Sequence, residues 1–535
     1  MMPTTPVPPI HVEENDACRK SQPPHAPVPV ASEQRERKWF LPCAILSCAL
    51  FLYLETFILP WTPWASTGDQ SIYLHDAARM FDGQMIYKDF AHFTFPGTSV
   101  LYLGLFKVFG VRAWIPRAML ILIGTLIAWL SFGICGKLMK GPSAFLPGFL
   151  FLALPFTGYL DATHHWYSTL AATAALAVLM ERRTRSRLAV AGSLLGLGTW
   201  FTQSLVLSLV GLALFVAWEG RRERSRPALQ LKNQAAMWVS YLGTVLALNA
   251  YFVWKVGFRQ FFYNTVVFIA KYYRDDAFNS WRAYLGARPS LRPWVNLPQV
   301  PAWVLIHLLL PLMYVLLFAR YWQKSRLDSR VPWERLMLIN TVGFSMFLMV
   351  ASAASYSRLC TVSLPALILL VWFLDSPFKI EQVLLHGLWA TVLLLAVIKP
   401  AIMQIRWSES IDLPTGRSAF FNPEFYQKAT WMIARTSPSD YFFGDPSLGF
   451  ALRLQSPGRV AFVRPTDYTR PEEVSDVVRG LEEHHVKFVS WYAGLDDKLV
   501  VPQKDHLGPL RQYLREHYRL ATKFSSGDEI WERNP

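Results

Sequence analysis

Eleven apolar stretches recur along this chain of 535 residues, at roughly 39–60, 118–136, 143–159, 166–180, 188–202, 203–218, 235–254, 301–319, 336–351, 360–374 and 381–398. A hydrocarbon core about 30 Å thick takes about 20 apolar residues of helix. Inside it every backbone polar group must find its partner within the helix. The run 188–218 is continuous except at Thr202-Gln203, and is read as two short helices joined by an outer turn. Charged residues make up only 17% of the chain, against about a quarter in soluble proteins. The pattern excludes a disordered chain, a collagen-like fibre and a disulfide scaffold. The fold expected is an α-helical polytopic membrane protein of about eleven spans with a C-terminal extramembrane α/β domain.

Charge placement orients the spans. Residues 1–38 are rich in proline and polar side chains and read as a disordered cytoplasmic tail, and Trp39 to Pro60 as an uncleaved first span, since the region before it is too long for a signal peptide. With the N-terminus cytoplasmic, the basic stretches Arg35–Lys38, Arg182–Arg187 and Arg221–Arg226 and the loop 320–335 all fall inside, while the turn 160–165 has no lysine or arginine and falls outside. The net charge of +15 therefore reflects membrane topology and not a nucleic-acid partner. The apolar segment Phe95–Gly110 holds Lys107 and is short for a span; crossing there would invert every later loop, so it is expected to lie along the outer leaflet. The first outer loop then runs over 61–117, long enough to suggest function, within a membrane region of 39–398. Residues 399–535 would lie outside, with strands expected at 440–444, 459–463, 487–492, 520–524 and 529–532 and helices at 472–486 and 506–518. This region has no GxGxxG nucleotide motif. Cys18, Cys43, Cys48, Cys135 and Cys360 lie in the tail or in apolar segments without a CxxC, which supports neither disulfides nor thiolate metal sites.

Polar side chains concentrate at the outer loops. Asp69 follows the first span and precedes an amphipathic helix expected from Ser71 to Phe81; by position it suits a helix N-cap as well as a functional carboxylate. Asp89 and His92 precede a Pro-Gly break, where they are either solvated loop polarity or, if the loop folds over the membrane mouth, general-base candidates. Asp161, His164 and His165 crowd one short turn between apolar helices. Imidazoles there could bind a phosphate, shuttle a proton or ligate a metal, for which Asp69 or Asp161 would supply a further ligand. Lys271 and Arg274, with Trp281, Arg282 and Arg288 beyond, form a basic aromatic segment suited to a headgroup surface. Arg358 sits between two spans, where an arginine is costly unless paired or functional; its guanidinium suits bidentate phosphate binding.

These residues, in this order, resemble the GT-C superfamily of polytopic membrane glycosyltransferases, in its protein O-mannosyltransferase and aminoarabinose-transferase-like branch. The resemblance rests on Gly68-Asp69 after the first span, Tyr87-Lys88-Asp89-Phe90 leading to Phe95-Pro96-Gly97, Leu160 to Trp166, and Gly196 to Gln203 at the broken helix pair, and covers 40–375. It implies an inverting glycosyltransferase that moves a sugar from a polyprenyl-phosphate donor to a lipid, glycan or protein acceptor at the outer face. Asp69 matches the family's catalytic carboxylate, with Asp89 as a second catalytic candidate. His92, Asp161, His164, His165, Lys271, Arg274 and Arg358 are the candidates for holding donor phosphate or substrate. Many relatives carry two adjacent acids where this chain has Asp69-Gln70, which bears on any two-carboxylate or metal role there. No cofactor is required by this reading, and a divalent metal is left open. The setting expected is a bacterial inner membrane, with the N-terminus cytoplasmic and the C-terminal domain periplasmic. A transporter or lipid flippase is the alternative; it calls for mid-span charges and an internal repeat, neither of which the sequence displays.

Overall fold

The computed structural model describes residues 30–224, 226–273, 284, 299–324, 331–492 and 504–535. Helix α1 (Val30–Thr56) starts ahead of the apolar run, so residues 30–38, expected in the tail, are helical. Met1–Leu46 is one unit, and Ser47–Pro535 is a single compact body.

Every one of the eleven apolar runs is helical, but they divide by length. Among the described residues, seven helices are long and apolar enough to cross a membrane: Trp39–Thr56, Ile115–Cys135, Gln203–Arg222, Pro227–Val256, Val300–Lys324, Trp333–Ala351 and Lys379–Ile405. The other four runs give the shorter helices Leu146–Phe156, His164–Leu179, Arg185–Phe201 and Leu364–Leu374. In chain order the helices that carry the site are α2 (Asp69–Phe81), α3 (Gly97–Phe109), α4 (Ile115–Cys135), α5 (Leu146–Phe151, continued as a π-turn to Phe156), α6 (His164–Leu179), α7 (Arg185–Phe201), α8 (Val206–Arg222) and α9 (Pro227–Val256). The break between α7 and α8 falls at Thr202, where the expected interruption lay.

The short helices pack closely because small residues line them. A Cβ added at Gly192 of α7 would meet the Met237 carbonyl oxygen of α9 at 2.3 Å, and one at Gly196 would meet Tyr241 O at 2.9 Å. Two helical backbones can approach this closely only without side chains between them. Helix α3, the segment assigned to the outer leaflet, buries Tyr102 and Phe106 while Val108 and Phe109 stay exposed. The Tyr102 hydroxyl donates to the Ala162 carbonyl (2.7 Å), fixing α3 to the turn before α6.

The polar C-terminal region forms a four-stranded sheet in the order β1 (Phe442–Phe443), β2 (Phe488–Trp491), β4 (Glu529–Arg533), β3 (Tyr518–Lys523). The β1–β2 pair is parallel and the others antiparallel, with Phe488 opposite Glu532 and Trp491 opposite Glu529. Helices Pro471–Glu483 and Gly508–His517 bury Val474, Val477, Leu481, Leu510 and Leu514 against it. The strand expected over 459–463 is instead irregular chain: its Arg459 carbonyl accepts from Ala91 N (2.9 Å), so this segment is committed to the first outer loop and not to the sheet. Further bonds of the same kind run from Ala65 N to Ala419 O (2.7 Å) and from Ala113 N to Thr415 O (2.9 Å). Short helix Pro446–Ala451 lies against α2, with Ser447 and Ser71 hydroxyls 3.0 Å apart.

Replacing Gly192 by alanine should lower the thermal unfolding midpoint in detergent by the equivalent of about 1–3 kcal/mol of overpacking. Gly133→Ala, where a Cβ would meet nothing within 4 Å, should leave the midpoint unchanged.

Candidate active site

Two loops meet at one end of the helices: the stretch 61–68 leading into α2, and the turn 157–163 leading into α6. Arg117, at the start of α4, joins them. Its guanidinium is buried and donates from Nε to Trp64 O (2.9 Å), from Nη2 to Ala65 O (2.8 Å) and from Nη1 to Leu160 O (2.8 Å). Gln70, fully buried, adds a second tie: Nε2 donates to Asp161 Oδ1 (3.3 Å) while Oε1 accepts from Ala162 N (3.1 Å). Arg117 did not stand out in the sequence, and Gln70 did so only as the residue standing where many relatives carry a second acid. An arginine at the mouth of an apolar helix and a glutamine on an amphipathic one are ordinary until the loops are in place.

The two ties bring Asp69 and Asp161 together. Asp69 is not the N-cap of α2; Gly68 occupies that place at φ 72°, and no side chain caps the helix. Asp69 is the first helical residue and remains exposed, so its carboxylate is available for other work. A Cβ on Gly68 would lie 2.7 Å from Asp161 Oδ2, so only glycine lets the loop pass this close to the second carboxylate, and its left-handed backbone favours glycine as well. Burial raises the Asp161 pKa to about 7, the Arg117 charge opposes that rise, and the Asp69 charge adds to it. Two close carboxylates of which one holds a proton near neutrality can divide acid and base duties.

Opposite charge stands nearby. Arg358 lies on short helix Tyr356–Thr361 and donates to Ala353 O (3.0 Å) and to the Tyr273 hydroxyl (2.9 Å). His164, His165 and Tyr159 all feel its charge. Four tyrosines are close enough to feel the acid: Tyr73, Tyr159, Tyr273 and Tyr468 each sense the Asp69 charge, and burial, the main cause, raises the pKa of all four. Tyr468 comes from the C-terminal region, together with Arg464, so that region supplies part of the wall.

The remaining sequence candidates lie elsewhere. Asp89, expected as a second catalytic acid, is exposed and accepts from Met85 N (2.7 Å), closing its own turn; the structure does not bring it to Asp69. His92 lies 2.7 Å from Asp76, and both are buried. Lys271 ends a short helix, exposed, and Arg274, Trp281, Arg282 and Arg288 lie outside the described residues. Among the described residues, three metal-ligating side chains converge at Glu219, Glu223 and Glu334 alone, and Asp69, Asp161 and the two histidines form no such set. Arg183 pairs with Glu219 and lies 3.4 Å from Glu334, and Arg222 lies 3.9 Å from Glu334, so two of these three acids already have cationic partners in the protein.

No family profile matches the chain, and neither does any curated protein sequence. Solved structures do. ArnT from Cupriavidus metallidurans in its apo state superposes with TM-score 0.55 at 13% identity over 93% of this chain and 98% of that one. The same protein bound to undecaprenyl phosphate gives 0.52 at 13% identity with the same coverage. The archaeal oligosaccharyltransferase AglB from Archaeoglobus fulgidus, in complex with an inhibitory peptide and a dolichol-phosphate, gives 0.50 at 12% identity over 93% of this chain and 74% of that one. The fold is GT-C. Within the fold of this chain, α1 leads to the loop of Asp69 and α6 begins at the turn of Asp161, so the acidic pair is set by these two connections.

Two outcomes test this geometry. Because the Asp161 pKa is raised from 3.8 to about 7, its contribution to stability is complete below pH 3.8 and is lost as pH rises through about 7. The wild type should therefore melt at a lower temperature at about pH 8 than at about pH 5, and Asp161→Asn should remove most of that difference. Arg117→Met should lower the unfolding midpoint at every pH by the equivalent of about 3–5 kcal/mol. Arg117→Lys should recover only part of this, since an ammonium lacks the planar fork that reaches three carbonyls.

Proposed function

We propose that the chain is an inverting glycosyltransferase of the outer membrane face, using a polyprenyl-phosphate sugar as donor. The observation that carries this reading is the exposed Asp69 beside the half-buried Asp161, with Arg358 close enough for its charge to act on His164 and His165. The likeness of fold to proteins solved with undecaprenyl phosphate and dolichol-phosphate supports it.

In this mechanism Asp69 takes the proton of the acceptor's nucleophile. The nucleophile bonds to the anomeric carbon as the bond from that carbon to the lipid phosphate oxygen breaks on the opposite face, which inverts the centre. The lipid phosphate keeps the bonding electrons, and Arg358 stabilises the charge that collects there. Asp161, sharing the site at a pKa near neutrality, holds or returns the proton that Asp69 takes. The donor enters by lateral diffusion in the bilayer, and the acceptor is a lipid, glycan or protein presented from outside. Tyr468 and Arg464 place the C-terminal region over the reacting groups, where it selects the acceptor. The setting is a bacterial inner membrane, with the basic loops cytoplasmic and the C-terminal region periplasmic.

The test is loss of label from a panel of radiolabelled polyprenyl-phosphate sugars by protein in bilayers, with membrane extract as acceptor. Wild type should turn over one donor, and Asp69→Asn should lower that rate by on the order of 10²–10⁴ while lipid binding persists. Equal rates in both would remove Asp69 from the chemistry.

A further inference from the structure

A second cation grips the start of the turn that carries Asp161, and no step above employs it. The backbone there is irregular. Pro155 has no amide to give, and the π-turn over Leu152–Phe156 carries Thr157 N past Ala153 to Leu152 O (3.3 Å), while Gly158 N goes to Leu154 O (2.9 Å). The two amides that an α- or π-turn would offer the Ala153 carbonyl are therefore spent elsewhere. Side chains serve it instead: Thr157 Oγ1 donates to it (3.0 Å), and so does Nζ of Lys399 (3.1 Å), which also donates to Thr157 Oγ1. Lys399 belongs to Lys379–Ile405, a helix long and apolar enough to cross a membrane, where an ammonium is costly unless it is paired or in use.

These bonds have one direction only. An ammonium donates and a carbonyl accepts, so the hydroxyl between them accepts from Lys399 and gives its own proton to Ala153. The same helix fixes the place of Lys399. Five residues on, Gln404 Nε2 donates to Leu54 O (2.8 Å) and Phe57 O (2.7 Å), and its Oε1 accepts from Leu59 N (3.1 Å). These bonds register the helix against the end of α1, where Glu55 is 2% exposed and its Oε1 has no hydrogen-bond partner among the described residues. The Glu55 and Lys399 charges act on each other. Glu55 is thus the counter-charge that lets an ammonium stay at this carbonyl.

We infer that Lys399 is a positioning residue for Asp161: its bonds to Ala153 and Thr157 fix where the turn begins, Arg117 fixes Leu160 next to the acid, and Glu55 balances the Lys399 charge. Held at both ends, the segment Gly158–Leu160 has little freedom to swing out, and Asp161 stays drawn in beside Gly68. Gly158 sits against the short helix of Arg358, where a Cβ would come within 3.3 Å of the Tyr356 ring, so the same grip seats the turn on that helix. That the acid then serves a glycosyl transfer rests on the reading above; the grip on its turn does not.

The experiment follows the Asp161 carboxyl by solid-state NMR on 13C-aspartate-labelled protein in phospholipid bilayers, with the resonance assigned by its loss in Asp161→Asn. Burial is the main cause of its midpoint near 7, so a turn that loosens and admits water should titrate lower, toward 3.8. Lys399→Met is made together with Glu55→Gln, so that no buried carboxylate is left uncompensated. This double variant should lower the midpoint, and Thr157→Val should lower it by less, while Thr157→Ser keeps it. A merely structural loss would lower the thermal midpoint and leave the titration where it is. An Asp161 midpoint that stays near 7 in the double variant overturns the inference; should that variant fail to fold, Thr157→Val decides in its place. Turnover on the same samples should fall by on the order of 10–10² in kcat, with the KM for the donor lipid held. A loss confined to KM would place Lys399 with the donor and overturns the positioning role. A wild type that consumes no lipid-linked sugar would overturn the glycosyltransferase reading, while the titration still decides what Lys399 does.

Discussion

The site depends on one buried cation with no carboxylate bonded to it. Arg117 spends its donors on the carbonyls of Trp64, Ala65 and Leu160, and so draws together two loops that have no β-ladder between them. Loop backbone at the edge of an apolar bundle cannot leave its carbonyls unpaired, and a planar fork is the side chain best shaped to collect several at once. The nearest acid, Asp161, stays within reach of the Arg117 charge, which opposes the rise that burial imposes on it. The same residue therefore sets the loop geometry and tempers the rise at Asp161. Gln70 completes the arrangement by holding Asp161 through its side chain and the next residue through its backbone.

Two carboxylates in a half-apolar space repel, and the structure resolves this by making their surroundings unequal. Asp69 keeps contact with solvent, while Asp161 is drawn under the loop beside Gly68. Environment and not residue type thus sets the two carboxylates apart. The tyrosine hydroxyls around them add hydrogen-bonding groups without adding charge at neutral pH, and burial raises their pKa values further.

Much of the membrane architecture could be read from the sequence, because hydrophobic runs and helical backbone in apolar surroundings are one physical requirement. The break at Thr202, the helix after Asp69 and the sheet strands at 488–491 and 529–533 all fall where the pattern put them. Length divided the apolar runs where composition did not, and the short helices owe their place to glycine contacts that a hydropathy profile weighs only as missing side chain. In the site, Asp69, Asp161, His164, His165 and Arg358 stood out as polar groups at apolar boundaries. Asp89 stood out equally and closes a local turn, since an acid near a turn satisfies either role until its neighbours are known. Tyr73, Tyr159 and Tyr468 gave no such signal: a tyrosine in an aromatic-rich membrane chain is unremarkable, and their convergence comes from three separate segments. The irregular segment 459–463 read as a strand because its apolar residues serve contact with the outer loop instead of a sheet.

That last contact bears on how such a protein could change over time. The C-terminal region is tied to the membrane-side loops by backbone bonds at Ala65, Ala91 and Ala113, and by side-chain contacts between Ser71 and Ser447 and between His75 and Ser456. Its joint with the bundle is thus woven through several loops and is not a single linker. This region could not be exchanged whole for another, since a transplanted sheet would arrive without partners for those amides. Change there is confined to point substitutions within a joint that stays in place.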